Sequence, residues 1–244
     1  MSREGGRRPD ELRTLSIEPD FLEQAHGSAL ISFGKTRVLC TATLDDGVPR
    51  WMMGRGKGWL TAEYSMLPAS TGQRTAREAS QGKQKGRTVE IQRLIGRALR
   101  AVADMEALGE RTLWLDCDVL QADGGTRCAA ISGVYVAAKR ALDRMGLGRT
   151  LTDSVAAVSL GIVDGELLLD LDYAEDSTAE TDLNIAMTGG GGLVEVQATA
   201  ERAPFSRDEL DELLDLAAAG IDEIAETQRA AAQVAISPRG NGRA

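Results

Sequence analysis

Apolar and polar positions change period several times along this chain, and each change marks an element. Residues 28–43, SALISFGKTRVLCTAT, hold two apolar-rich runs around Gly34-Lys35 and read as a hairpin. Gly58 to Met66 reads as a further strand. From Leu67 to Gly86 periodicity disappears among Gly, Ser, Thr, Gln and basic residues. A loop of this length is uncommon unless functional or disordered. Thr88 to Leu108 then reads as one helix, with Ile91, Leu94, Ile95, Ala98 and Val102 on one face and Arg93, Arg97 and Arg100 opposite. Solvent or a subunit contact is the expectation for those three arginines. Arg111 to Gln121 alternates as a strand, and Asp123-Gly124-Gly125 turns the chain. Thr126 to Leu142 is a second helix, apolar nearly all round at its start, so an arginine in its first turn, Arg127, needs a partner.

The second part repeats the alternation. Ser154 to Asp170 is a hairpin around Asp164-Gly165, a type I′ signal. Thr181 to Thr188 and Leu193 to Thr199 pair around Gly189–Gly192. Ser206-x-x-Glu209 is a capping box that opens a long amphipathic helix, and SPRGNGRA reads as a frayed tail. Strands and helices in this order predict an α+β fold of mixed sheets with packed helices, one unit over 1–244 with sub-parts 1–150 and 151–244.

Composition narrows the chemistry. One histidine, His26, reads as a surface or turn residue, and a Ser-His-Asp triad or a multi-histidine metal site is close to excluded. Cys40, Cys117 and Cys128 are too scattered for a zinc finger or a disulfide framework. Cys128 reads as packing rather than as a nucleophile. Trp51, Trp59 and Trp114 read as core or interface residues. No apolar run approaches the length of a membrane span, and the polar first residues read as lacking a signal peptide. With unpaired cysteines, the expectation is a cytoplasmic protein with no membrane partner.

The net charge of -9 argues against a nucleic-acid partner until it is divided. Residues 50–100 hold eleven basic against three acidic side chains, a local +8. Arginine supplies 23 of the 28 cations, the side chain suited to bidentate phosphate contacts. Three constellations fit that surface. Gly124-Gly125-Thr126-Arg127 puts free amides, a hydroxyl and a charge at a helix start, either as an anion cradle or as a tight turn with Thr126 as N-cap. Gly86-Arg87-Thr88 opens the other helix, and the two arginines together can grip one small oxyanion. Glu175-Asp176-Ser177-x-Ala179-Glu180-x-Asp182 brings Asp176 and Asp182 near strand ends. That pair can hold Mg²⁺ or Mn²⁺, lend a general acid, or form a solvated acidic turn.

These constellations occur within FGKTRVLCTAT (33–43), GVPRW (47–51), GWLTAEYSMLP (58–68), KGRTVEIQRLIGRALRA (85–101), DCDVLQADGGTR (116–127), EDSTAETDLNIAMTG (175–189), VEVQATAE (194–201) and PFSRDEL (204–210). In this order they resemble the RNase PH family of phosphate-dependent 3′-to-5′ exoribonucleases, from about Arg3 to Gln228. The resemblance implies the RNase PH fold, which is ribosomal protein S5 domain 2-like and includes a left-handed βαβ crossover. It implies a homohexamer, a trimer of dimers with RNA in a basic channel, trimming tRNA precursors and also rRNA. Inorganic phosphate is then the co-substrate and nucleoside diphosphates the products. It places phosphate on Arg87, Gly125, Thr126 and Arg127, catalysis and metal on Asp176 and Asp182, and RNA guidance on Arg74 and Arg77. The alternatives are a non-catalytic RNA-binding ring subunit and a metal-dependent hydrolase. Three positions depart from the family pattern. Ala69 follows Pro68 where arginine is usual, Gly5-Gly6-Arg7 replaces Asp-Gly-Arg, and Cys128 replaces a threonine. None touches the phosphate residues or the aspartates, so an active enzyme is expected, with weaker hold on structured RNA.

Overall fold

The computed structural model describes residues 3–202 and 204–236; the segment read as a frayed tail, 237–244, lies outside the described residues. Five strands form the first sheet: β1 (Leu15–Pro19), β2 (Gly27–Phe33), β3 (Thr36–Asp46), β4 (Trp59–Met66) and β5 (Arg111–Gln121). Their order is β1-β2-β3-β5-β4. Only β4 and β5 run parallel, and α1 (Gly86–Ala101) and the short α2 (Met105–Leu108) cross between them, a βαβ unit inside an otherwise antiparallel sheet.

The second sheet holds β6 (Val155–Val163), β7 (Glu166–Leu169), β8 (Thr181–Thr188) and β9 (Leu193–Ala200), ordered β7-β6-β8-β9. Asp164 and Gly165 between β6 and β7 both have positive φ, 51° and 75°, as a type I′ turn requires. Helix α3 (Thr126–Arg144) lies between the sheets, packed on β2, β3 and β6. Its first turns are buried nearly all round because a sheet covers each side. Ile31, Leu113, Leu115, Ile131 and Leu160 belong to one continuous apolar cluster that draws on both sheets. A long α5 (Arg207–Gln233) opens with the expected reciprocal capping box of Ser206 and Glu209 and packs on β6, α3 and β1.

Two stretches differ from their sequence patterns. The helix expected over Thr88–Leu108 stops at Ala101. Ala103 bridges to Leu151, and the Asp104 carboxylate caps a new turn by accepting from the Glu106 and Ala107 amides. Apolar residues continue through that break, with Val102 and Leu108 both buried, so the pattern alone does not mark it. Strand β1 had no strong pattern: it is five residues long, ends on Pro19 and sits at a sheet edge, where proline is tolerated.

Candidate active site

The site is assembled around the turn Asp123–Gly125, which links β5 to α3. Gly124 and Gly125 have φ of 76° and 65°. A Cβ on Gly124 would lie 2.6 Å from the carbonyl oxygen of Leu171, so only glycine lets the turn dock on the 171–173 segment. That docking sets the glycine turn against the short helix α4 (Tyr173–Asp176), which ends in Asp176.

A buried clamp holds the turn. Arg13 forks onto Asp170, with Nη2 2.7 Å from Oδ1 and Nε 3.0 Å from Oδ2, and also donates to the Asp123 carbonyl. Both side chains are nearly inaccessible, so charge pairing and hydrogen bonding offset their desolvation. Nothing local in the sequence marks this pair, whose members lie 157 positions apart.

At the start of α3, Gly125 is the N-cap and no side chain caps the turn. Thr126 therefore lies in the first helical turn rather than at the N-cap. Its Oγ1 accepts the Tyr64 phenol at 2.9 Å. Burial pushes the Tyr64 hydroxyl up, against the opposing effects of that hydrogen bond and of Arg87 and Arg127, so it stays protonated and available to donate. The free amides and positive end of a nineteen-residue helix suit an anion.

Arg127 is 8% exposed and has the partners its position demands. Its Nη1 donates to Gln197 Oε1 and lies 3.5 Å from Glu90 Oε1. Arg87 stands exposed at the start of α1. There Glu78 accepts from the Lys85 amide at 3.0 Å and from the Thr88 hydroxyl at 2.8 Å. A carboxylate of the chain itself thus engages the N-cap amide and the Thr88 hydroxyl, while the Arg87 side chain stands exposed beside them.

The structure brings the two aspartates and the two arginines together. Burial pushes the Asp182 carboxyl up to about 6, reinforced by the negative charge of Asp176 and opposed by Arg127 and Arg87. Asp176 is raised by burial, with Arg87, Arg127 and Arg13 pulling the other way. Glu201 adds to the negative field on both. Among the acidic residues of 175–182, Glu175 turns inward instead. It is buried against Arg3 at 2.8 Å and Arg7 at 3.2 Å and forms a capping box with Asp172. The Asp-x-x-Glu spacing of residues 172–175 is the sequence signal for that role. Asn184 donates to Asp182 Oδ1 at 3.3 Å and accepts from the Cys128 thiol at 3.4 Å. Burial pushes that thiol far up, which fits packing and not nucleophilic duty.

Beside the arginines lies a cleft of about 850 Å³, lined by Arg77, Lys83, Lys85 and Arg87 along one wall and by Glu63, Asp116 and Asp118 on the sheet. Arg77 thus faces the cleft, while Arg74 is an exposed residue of the same loop outside the lining. Of the other arginines on α1, Arg97 pairs with Glu195 and Arg100 donates to the Leu60 carbonyl and lies over the Trp59 ring. Two tryptophans are not core residues: Trp51 is 56% and Trp114 40% exposed. His26 accepts the Leu44 amide at 2.9 Å.

Comparison with known proteins bears on the fold that carries these residues. The 3′ exoribonuclease family RNase PH, domain 1, matches residues 11–141, and its domain 2 matches 153–220. The chain belongs to the RNase PH family. Among solved structures similar to this RNase PH-family chain is rice (Oryza sativa) Rrp46, 21% identical at a TM-score of 0.78, covering 95% of this chain and all of that one. An Archaeoglobus fulgidus exosome with RNA bound to its active site is 24% identical at 0.78, covering 92% of each chain. An archaeal exosome core is 23% identical at 0.74, covering 93% of this chain and 91% of that one. At these identities the likeness is one of fold, and the fold is the mixed α+β architecture expected.

Two further facts bear on ligands. Among the described residues no group of three or more His, Cys, Asp or Glu is placed to hold a metal ion. No helix of the described residues is long and apolar enough to cross a membrane.

Proposed function

We propose that this chain is a phosphorolytic 3′-to-5′ exoribonuclease. The observation that carries the reading is that Arg87 and Arg127 act on the same two carboxylates, Asp176 and Asp182, beside an uncapped helix start. Inorganic phosphate is already a nucleophilic oxyanion and needs no strong base. What it needs is positive charge and amide donors that overcome its repulsion from the RNA phosphate. The Gly125–Arg127 turn and Arg87 supply these, and Arg77 with its cationic neighbours guides the RNA end, with Arg74 on the same loop. A phosphate oxygen attacks the terminal phosphorus, the bond to the 3′ oxygen breaks, and the last nucleotide leaves as its diphosphate.

Asp176 and Asp182 fit a hard cation. Each has a proton affinity raised by burial, and Asp182 is raised further by its neighbour's charge, a repulsion that a divalent ion relieves. Since no third such ligand is grouped with them among the described residues, water and phosphate oxygens would complete the sphere of Mg²⁺ or Mn²⁺. Bound there, the cation supplies charge neutralisation between the two phosphates. The elevated Asp182 also suits proton donation to the leaving 3′ oxygen, the other role open to the pair.

Family likeness extends the reading to tRNA precursors and rRNA as substrates and to a homohexamer built as a trimer of dimers. Three free cysteines accord with the cytoplasm. A second reading, a non-catalytic RNA-binding ring subunit, is favoured by the likeness to exosome core proteins. Product identity separates the two. With Mg²⁺ and a tRNA bearing extra 3′ nucleotides, nucleoside diphosphates that appear only with added phosphate support phosphorolysis. RNA bound without any release supports the ring subunit, and monophosphates formed without phosphate would show hydrolysis.

A further inference from the structure

Arg127 does not stand alone under the phosphate turn. Gln197 on β9 accepts from its Nη1 and, through Nε2, donates to Glu90 Oε1 at 2.9 Å. Glu90 Oε1 lies 3.5 Å from the same Nη1, which closes a three-membered ring of contacts. Only one orientation of the Gln197 amide satisfies both neighbours, oxygen toward arginine and nitrogen toward carboxylate. Among the described residues both side-chain hydrogen bonds of Arg127 pass through Nη1, so the rest of the guanidinium edge is left for an incoming anion. The same pair of elements is joined again two turns along α1, where Arg97 Nη2 donates to both Glu195 carboxylate oxygens at 3.0 and 3.1 Å. Helix α1, strand β9 and the first turn of α3 are therefore tied together at the arginine itself.

We propose that Glu90 and Gln197 form a latch that aims Arg127 and sets how tightly the site holds phosphate; this rests on the phosphorolytic reading above. The two residues act in opposite senses. Both hold the guanidinium in place. Glu90, about half exposed, also sets a negative charge beside the anion and so weakens it. That weakening has a use in this reaction. The terminal phosphate of the diphosphate product occupies the place where inorganic phosphate entered, and a site that held it too well would release product slowly. Glu90 and Gln197 are thus positioning residues that act through Arg127.

Phosphate titration calorimetry on the purified protein, with steady-state phosphorolysis in parallel, tests the latch through two isosteric variants. Glu90→Gln keeps the acceptor and removes the charge. Its Kd for inorganic phosphate should fall about threefold, KM for phosphate should follow, and inhibition by added nucleoside diphosphate should strengthen. Gln197→Glu keeps the acceptor for Arg127 but faces Glu90 with a like charge, and its Kd should rise about threefold or more. Glu90→Ala, which loses the acceptor, should lower kcat about tenfold, and Glu90→Gln should restore most of that loss. A purely structural role for the ring would move both isosteric variants in the same direction. Wild-type protein that binds phosphate, with both isosteric variants matching its Kd, overturns the latch alone. Wild-type protein that neither binds phosphate nor releases diphosphates overturns the phosphorolytic reading and the latch with it. Should Gln197→Glu fail to fold, the direction of the Glu90→Gln shift decides.

Discussion

Two helices in this protein begin with glycine, arginine and threonine within three residues, and their surroundings make them different devices. The α3 start is buried, lacks a side-chain cap, and is fixed from below by Arg13 and Asp170. The α1 start is exposed, and Glu78 already supplies a carboxylate to its Lys85 amide and Thr88 hydroxyl. One is a buried turn held by an ion-pair clamp; the other is an exposed helix end, partly engaged by Glu78, that offers an exposed cation. The difference shows that a motif's composition names its possible ligands, while its neighbours decide which groups are still free.

The comparison is broken most severely at Arg127. Replacing it with alanine should lower phosphate-dependent release of nucleoside diphosphates by about 10³-fold, and Arg87→Ala by about 10²-fold, because the buried cation acts in the lower dielectric. Single-turnover kinetics with trimmed RNA would check the ranking, and equal losses would erase the distinction between the two starts. Arg13→Ala should cost about 3–5 kcal/mol in denaturant unfolding, since Asp170 would be left buried without its partner.

Glycines give the next contrast. Gly124→Ala needs a positive φ and forces a 2.6 Å contact with backbone, so about 2–4 kcal/mol of stability should be lost. Gly86 has open space at its Cβ, and Gly86→Ala should leave stability unchanged or raise it by about 0.5–1 kcal/mol. Thermal unfolding of the pair reads both. The smallest effect belongs to Glu78→Ala, which removes the carboxylate at the α1 start and should cost about 1 kcal/mol. It should also free that helix end, so that phosphate protection against unfolding survives in this variant and disappears in Arg127→Ala.

Local patterns were legible where local physics is sufficient. The β5 boundaries, the Asp164-Gly165 turn and the Ser206 capping box follow from alternation, positive-φ demand and amide capping, all of which act over a few residues. The break at Val102–Asp104 was hidden because buried apolar residues, Val102 and Leu108, continue through it. Asp176, Asp182, Arg87 and the Gly125–Arg127 turn were visible as chemical types at suggestive spacings. Arg13, Asp170, Tyr64 and Gln197 were not, because each serves the site across a long stretch of chain and carries no local signature.

By itself, then, the sequence determined the elements, the lack of histidine chemistry, the concentrated arginine segment and, through its motifs, the family. Tertiary structure alone decided that Glu175 faces Arg3 while Asp176, the next residue, faces the arginines. It alone decided that Glu78 reaches the Lys85 amide and the Thr88 hydroxyl at one helix start while Arg13 and Asp170 hold the turn at the other. The physical reason is that desolvation and charge pairing depend on distance in space. Those distances exist only once the two sheets have closed on α3 and carried residues from both ends of the chain to one turn.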